Sequence, residues 1–291
     1  MQRLIYIVLY PLMWVTSKLP FWLLYLKSDF LFFLAYRVFG YRKKVVMGNL
    51  DLVFPDKSRE QKKIIARRFY THLCDLIFET IKNLTISEEE STKRFQFENI
   101  DLIHQYAEQN KSVMLMCAHY ASWEWSGILQ KQISQQGYAV YKPLDNPYFD
   151  RLVRKIRGRF GAEIVSNKNI VPRLFRDKKD GKVNMTLILS DQTPKLGAFK
   201  HRDHFMGIDV PVFTGTEELA KKLGHACVYL QIEKVKRGYY SARFIPLSDD
   251  PASLPDYEIT RLFLDNIEKQ VAEDPAYYLW SHKRWKHRLT P

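Results

Sequence analysis

Val113-Met114-Leu115-Met116-Cys117-Ala118-His119-Tyr120-Ala121-Ser122-Trp123-Glu124-Trp125 is the stretch on which the fold turns. Its first five residues are apolar and follow polar Lys111 and Ser112, which reads as a short buried strand. From Trp123 to Ser134 the pattern reads as a helix. His119 therefore stands at a strand exit, where open α/β sheets gather their functional groups. A histidine held by a carboxylate can take a proton from a hydroxyl, whose oxygen then attacks an acyl carbon. Glu124 is five residues away, and on a regular helix such a pair lies about 140° apart. The two meet only if His119 is on the loop and the helix begins between them. Ser122 is placed to cap that helix. Spacing alone leaves a second reading open: a structural histidine, beside a carboxylate that merely suits the first turn of a helix.

Outward from this stretch, strands alternate with helices. Strands are expected at Phe95–Ile100, Tyr138–Tyr141, Glu163–Val165, Asn184–Leu189, Ala226–Ile232 and Tyr239–Ile245. Helices are expected at Ser58–Asn83, Asp101–Gln109, Phe149–Phe160, Asn169–Lys178, Thr214–Leu223 and Asp256–Glu273. That alternation predicts an α/β fold with a mixed, largely parallel sheet flanked by helices. Asp191 and Gln192 follow the strand Asn184–Leu189, so they are expected on the same sheet edge as His119.

The chain has 291 residues, with 45 Lys plus Arg against 32 Asp plus Glu, for a formal net charge of +13. A basic excess favours anionic partners: phospholipid headgroups, an acidic protein or nucleic acid. No helix-turn-helix, zinc-finger or RNA-binding aromatic pattern supports the last of these, so nucleic acid is not an expected partner. Cys74, Cys117 and Cys227 are odd in number and far apart, with neither a disulfide framework nor zinc spacing. They are expected buried and reduced.

The amino-terminal end is apolar from Leu4 to Val15 and again from Leu19 to Phe39, broken by Pro11, Pro20 and the Lys27-Ser28-Asp29 triplet. Neither stretch is an unbroken run of about 18 apolar residues, as a confident span requires. Two membrane readings follow: a tilted anchor that crosses or enters the bilayer, or a helical hairpin in its interface; the alternative is a helical pair buried in the core. Arg37, Arg42, Lys43 and Lys44 come next and would meet an anionic leaflet. The expected division is residues 1–40 as membrane-associating helices and residues 41–291 as the α/β domain.

Several blocks, in order, carry a resemblance. They are Tyr41-Arg42, Asn49-Leu50 with Phe54-Pro55, then His119 through Glu124, then Tyr141-Lys142-Pro143 with Asn146-Pro147. Arg154, Arg157 and Gly158 follow, then Asp191-Gln192, Phe205-Met206-Gly207 with Thr214, and Trp280, His282, Arg284 and Trp285-Lys286. Over nearly its whole length the chain resembles the late acyltransferases of lipid A biosynthesis, within the glycerolipid acyltransferase superfamily and its histidine-x-x-x-x-acid motif. Lys142 departs from the usual arginine, Met206 from an aromatic, and Val210-Pro211 from Pro-Ala. A lysine offers a point charge where arginine offers a bidentate fork.

The resemblance implies a bacterial enzyme at the cytoplasmic face of the inner membrane, held there peripherally or by a single span. It implies acyl transfer from a thioester, usually on acyl carrier protein, to a hydroxyl of a lipid A precursor, with no cofactor and no metal. His119 would be the base and Glu124 its orienter. Lys142, Arg154, Arg157, Asp191 and Gln192 would bind substrate. Arg151, Arg154 and Lys155 share a helical face suited to an acidic carrier. Arg284 and Lys286, interleaved with Trp280 and Trp285, suit a lipid-facing rim or a packing tail. Two other readings stay open: the same chemistry on a lysophospholipid, aminolipid or glycolipid, and a non-enzymatic basic binding protein.

Overall fold

The computed structural model describes residues 2–289. Its elements are α1 (Gln2–Lys18), α2 (Phe21–Phe32) with a π-helical turn (Phe33–Val38), α3 (Lys43–Val53), α4 (Arg59–Lys82), α5 (Glu88–Arg94), β1 (Phe95–Phe97), α6 (Asp101–Glu108) and β2 (Val113–Cys117). A 3₁₀ helix (Trp123–Lys131) precedes β3 (Gln136–Tyr141), α7 (Pro147–Arg157), β4 (Glu163–Ser166), α8 (Ile170–Lys179) and β5 (Asn184–Leu189). Then come β6 (His201–Phe205), β7 (Ile208–Val212), α9 (Gly215–Leu223), β8 (Ala226–Lys236), β9 (Tyr239–Ser248) and α10 (Glu258–Glu273).

Seven strands of the described residues form one sheet in the order β1-β9-β8-β2-β5-β3-β4. The β8–β9 pairing is antiparallel and the others are parallel, so the expected mixed, largely parallel sheet is present. β2 lies between β5 and β8, and all five of its residues are buried. This explains its unbroken apolar run: helices cover both faces of a parallel sheet, so no position can alternate to polar. β2 and β5 have the expected bounds. Cys74, Cys117 and Cys227 are free and buried, as expected.

The capping box of α4 is legible in the sequence. Ser58 Oγ accepts from the Gln61 amide at 3.2 Å, and Gln61 Oε1 accepts from the Ser58 amide at 2.8 Å. The β6–β7 hairpin was not expected, because His201-Arg202-Asp203-His204 is polar throughout. Its signal is the two-residue turn: Met206 at φ 54° and Gly207 at φ 75° place both central residues in the left-handed region, as a type I′ turn requires.

The amino-terminal helices pack on the body. Lys82 Nζ donates to the carbonyls of Ser17 at 3.0 Å and Leu19 at 2.8 Å, and Ser28 Oγ donates to Asp75 at 2.7 Å. Their outer faces stay uncovered. Leu4, Val8, Leu12 and Val15 form an exposed apolar stripe on α1 at helical spacing. The second helix, α2, repeats it with Trp22, Leu26 and Phe30, continued by Phe33 in the π turn. Among the described residues, no helix is long and apolar enough to cross a membrane.

Candidate active site

His119 sits on the loop after β2, as its position at a strand exit requires. Its side chain is 19% exposed, and its Nδ1 lies 2.7 Å from Asp191 Oδ1. Asp191 follows β5, the parallel neighbour of β2, so the two strand ends deliver both residues to one edge. Asp191 is 1% exposed. Burial works to raise its carboxyl, but the charge and hydrogen bonds of His119 outweigh that and hold it below the ordinary value. The Nε2 of His119 lies 3.2 Å from the Gln192 amide nitrogen. One tautomer satisfies both contacts: Nδ1 donates to Asp191, and Nε2 keeps its lone pair and accepts from Gln192. That is the form a general base needs.

Glu124 is therefore not the carboxylate that orients His119. It faces Arg157 of α7, whose Nε donates to Glu124 Oε2 at 2.9 Å and whose Nη2 donates to Oε1. Burial works against the Arg157 charge, and this bidentate pair outweighs it. So Arg157 holds a protein carboxylate, and Asp191 lies behind the histidine. Arg157 still lines the cavity through which substrate would enter. The physical reason for the pairing is the strand order, which sets Asp191 at the end of β5 beside His119; Glu124 stands instead on a helix that is not an α-helix. Trp123–Lys131 is 3₁₀, with a period of three. Ser122 does not cap it with its side chain: the buried hydroxyl makes no hydrogen bond.

The three-residue period shapes a cavity. Trp123, Ser126 and Leu129 form one column of the 3₁₀ helix, and Glu124, Gly127 and Gln130 the next; both line the cavity. In the third column Trp125 and Ile128 are fully buried in the core, and Lys131 at its end is exposed. The opposite wall is the sheet: Leu115 of β2, Met185, Leu187 and Leu189 of β5, and Gly137 through Tyr141 of β3. Alternation along β5 puts its three on one face. The cavity holds about 280 Å³. His119, Glu124, Lys142, Arg157 and Gln192 stand at its polar mouth. At the far end Gln130 is fixed by two hydrogen bonds, accepting from the Gly137 amide at 2.6 Å and donating to the Gln135 carbonyl at 3.0 Å. From Glu124 to Gln130 the helix rises about 12 Å, at about 2.0 Å per residue.

The other expected site residues divide. Lys142 lines the cavity mouth and is exposed, while Arg154 lines a neighbouring groove with Arg173 and Arg176 and does not reach the cavity. The carboxy-terminal signature is a packing segment, not a lipid-facing rim: Trp280, Arg284 and Trp285 are all buried. It closes over the site backbone, with the Leu279 amide donating to the His119 carbonyl at 3.1 Å. Asn49 of α3 holds it from below, donating to the carbonyls of Trp280 at 2.8 Å and His282 at 2.9 Å.

Comparison with known proteins completes the picture. Residues 2–287 match the family described as bacterial lipid A biosynthesis acyltransferase. The chain is 27% identical to the lipid A biosynthesis lauroyltransferase of Escherichia coli, over 95% of this chain and 89% of that protein. It is 25% identical to the palmitoleoyltransferase of the same organism, with the same coverage. A lipid A biosynthesis acyltransferase of Haemophilus influenzae is 23% identical, over 92% of this chain and 88% of its own length.

Proposed function

Because this chain belongs to the bacterial lipid A biosynthesis acyltransferase family, we propose that it moves a fatty acyl group from an acyl carrier protein thioester to a hydroxyl of a lipid A precursor. The observation that carries this reading is the His119–Asp191 pair at the mouth of a largely apolar cavity. A hydrocarbon chain fits such a cavity: burying apolar surface contributes about 25 cal/mol per Å². With the chain inside, its carbonyl carbon rests at the mouth, beside Nε2.

His119 Nε2 takes the proton of the acceptor hydroxyl, displacing the Gln192 contact. The oxygen attacks the thioester carbon, and the carbonyl electrons shift to its oxygen. The tetrahedral adduct collapses, the carbon–sulfur bond breaks, and the imidazolium returns the proton to the thiolate. Ester and free thiol are the products, and the base is restored. Asp191 orients the ring and stabilises the imidazolium. Glu124 and Arg157 build the mouth, with Lys142 beside them as a cation for an acceptor phosphate. Arg151, Arg154 and Lys155 are exposed on α7 next to that mouth, where an acidic carrier would dock. The exposed apolar stripes of α1 and α2 support a seat on the cytoplasmic face of the bacterial inner membrane, in the interface.

The test is transfer by purified protein from acyl carrier thioester to lipid A precursor, read by mass spectrometry of the lipid. His119→Ala should abolish product. Asp191→Asn should lower kcat by about 10³- to 10⁴-fold, as in other oriented-histidine sites. Wild-type activity in either variant would overturn the assignment. Transfer to other lipids but not to the lipid A precursor would overturn the acceptor.

A further inference from the structure

A second opening lies on the same sheet edge as His119, and acyl transfer at His119 leaves it unused. β3 and β4 pair up to their last residues, with Tyr141 opposite Ser166. Beyond that pair, α7 and α8 wall a groove of about 640 Å³. Tyr141 lines both this groove and the cavity beside His119, so the two openings share one wall. Ligands of α/β sheets bind in such places, outside the carboxyl ends of the strands. The order β2-β5-β3-β4 sets the end of β4 three strand spacings from that of β2. At about 4.8 Å each, Ser166 lies roughly 14 Å from the end of the strand that leads into His119.

Arg154 of α7 and Arg173 and Arg176 of α8 line the groove. Arg173 is already engaged: its Nη1 donates to Glu163 at 3.0 Å and its Nε to Asp177 at 3.2 Å. Asp150, the other lining acid, is engaged too, accepting from the Tyr141 hydroxyl at 3.1 Å and the Leu144 amide at 2.9 Å. Arg154 and Arg176 are exposed, and among the described residues neither side chain makes a hydrogen bond or a salt bridge. Ser166 and Asn169 bring a hydroxyl and a side-chain amide, and the Asn169 side chain does not cap α8. Two free guanidinium groups at one groove repel each other, and an anion between them removes that cost. Their planar forks match phosphate in bidentate fashion.

We propose that this groove binds the phosphate at the end of the donor's pantetheine arm, with Arg154 and Arg176 as its forks and Ser166 and Asn169 as its neutral donors. The assignment rests on the thioester donor proposed above, so its test has one readout in activity and one outside it. A thioester whose carbonyl stands beside His119 Nε2 has its acyl chain in the cavity, and the rest of the donor leaves by the mouth. Tyr141 is the wall it passes. The arm is a long chain between sulfur and phosphate, which a site this far from the base requires. Arg151 and Lys155 of the same helix α7 are left to meet acidic side chains of a carrier.

The test uses the full chain and two S-dodecyl thioethers, of phosphopantetheine and of pantetheine, which differ by the phosphate alone and cannot react. In titration calorimetry the wild type should bind the phosphorylated thioether about tenfold to a hundredfold tighter. Arg154→Gln combined with Arg176→Gln should lose that preference; both side chains are exposed, so the double variant folds. Lys93→Gln combined with Lys269→Gln removes the same charge from exposed positions elsewhere and should keep it. Equal binding of the two thioethers by the wild type would overturn the inference, as would a preference that survives the arginine changes or falls as far with the lysine changes. In activity, the kcat/KM ratio of acyl-phosphopantetheine to acyl-pantetheine should fall toward unity in the arginine variant. An equal loss with both donors would give the arginines to an acceptor phosphate and overturn the inference. Carrier and coenzyme A thioesters present the same arm phosphate, and wild-type kcat/KM for each identifies which supplies it. Absence of transfer by the wild type from any thioester would count against the proposed function alone, because the thioether comparison stands without it.

Discussion

Glu124 and Asp191 show what one residue's neighbours in sequence can and cannot reveal. The five-residue gap from His119 marked Glu124 as the partner, yet the partner is Asp191, 72 residues away. A signal existed, since Asp191 also follows an apolar strand and parallel strands share an exit edge. What the sequence did not contain was the adjacency of β2 and β5, which depends on strand order. Arg157 was legible as important but not as a clamp, because its role is fixed by a carboxylate on another element. That clamp is testable. Arg157→Ala leaves Glu124, whose side chain is 11% exposed, without its partner. It should destabilise the protein by about 3 kcal/mol in urea denaturation. Adding Glu124→Ala should cost clearly less than the sum of the two single changes. Full additivity would show that the pair is uncoupled.

Helices read from apolar periodicity were found close to their expected bounds, but their type was not legible. Trp123–Lys131 reads as α from composition, and only packing against the sheet shows a period of three. The cavity depends on that difference, since an α-helical pitch would scatter its two lining columns. α4 carries a second consequence that its amphipathic pattern hides. Its Glu79 is buried and receives hydrogen bonds from Tyr25 of α2 at 3.0 Å and Tyr240 of β9 at 2.8 Å. Burial, aided by the Asp75 charge, raises Glu79 from the usual 4.5 to about 7, against Lys234 and the two hydroxyls. A raised carboxyl means that the folded chain keeps a proton the unfolded chain releases. Its contribution to stability is full below about 4.5 and is lost as pH rises to about 7. Over that window the wild type should lose on the order of 3 kcal/mol relative to Glu79→Gln. Parallel stability–pH curves for the two proteins would refute this.

Over the whole molecule, the uncovered apolar stripes of α1 and α2 belong to a chain with a formal net charge of +13. Such a combination binds anionic bilayers through apolar insertion and charge together. Sedimentation with vesicles containing phosphatidylglycerol should capture the protein, and Trp22→Glu with Phe30→Glu should weaken capture by roughly tenfold or more. Equal capture of the double variant would place the contact elsewhere. The closing of the carboxy-terminal segment over the His119 loop has a consequence in time. Leu279 and Trp280 are synthesised long after Asn49 and His119, and until they arrive the Leu279–His119 and Asn49–Trp280 contacts do not exist. Contacts so distant along the chain form late and slowly. A nascent chain therefore carries its strands and its histidine before it carries the segment that closes over the His119 loop.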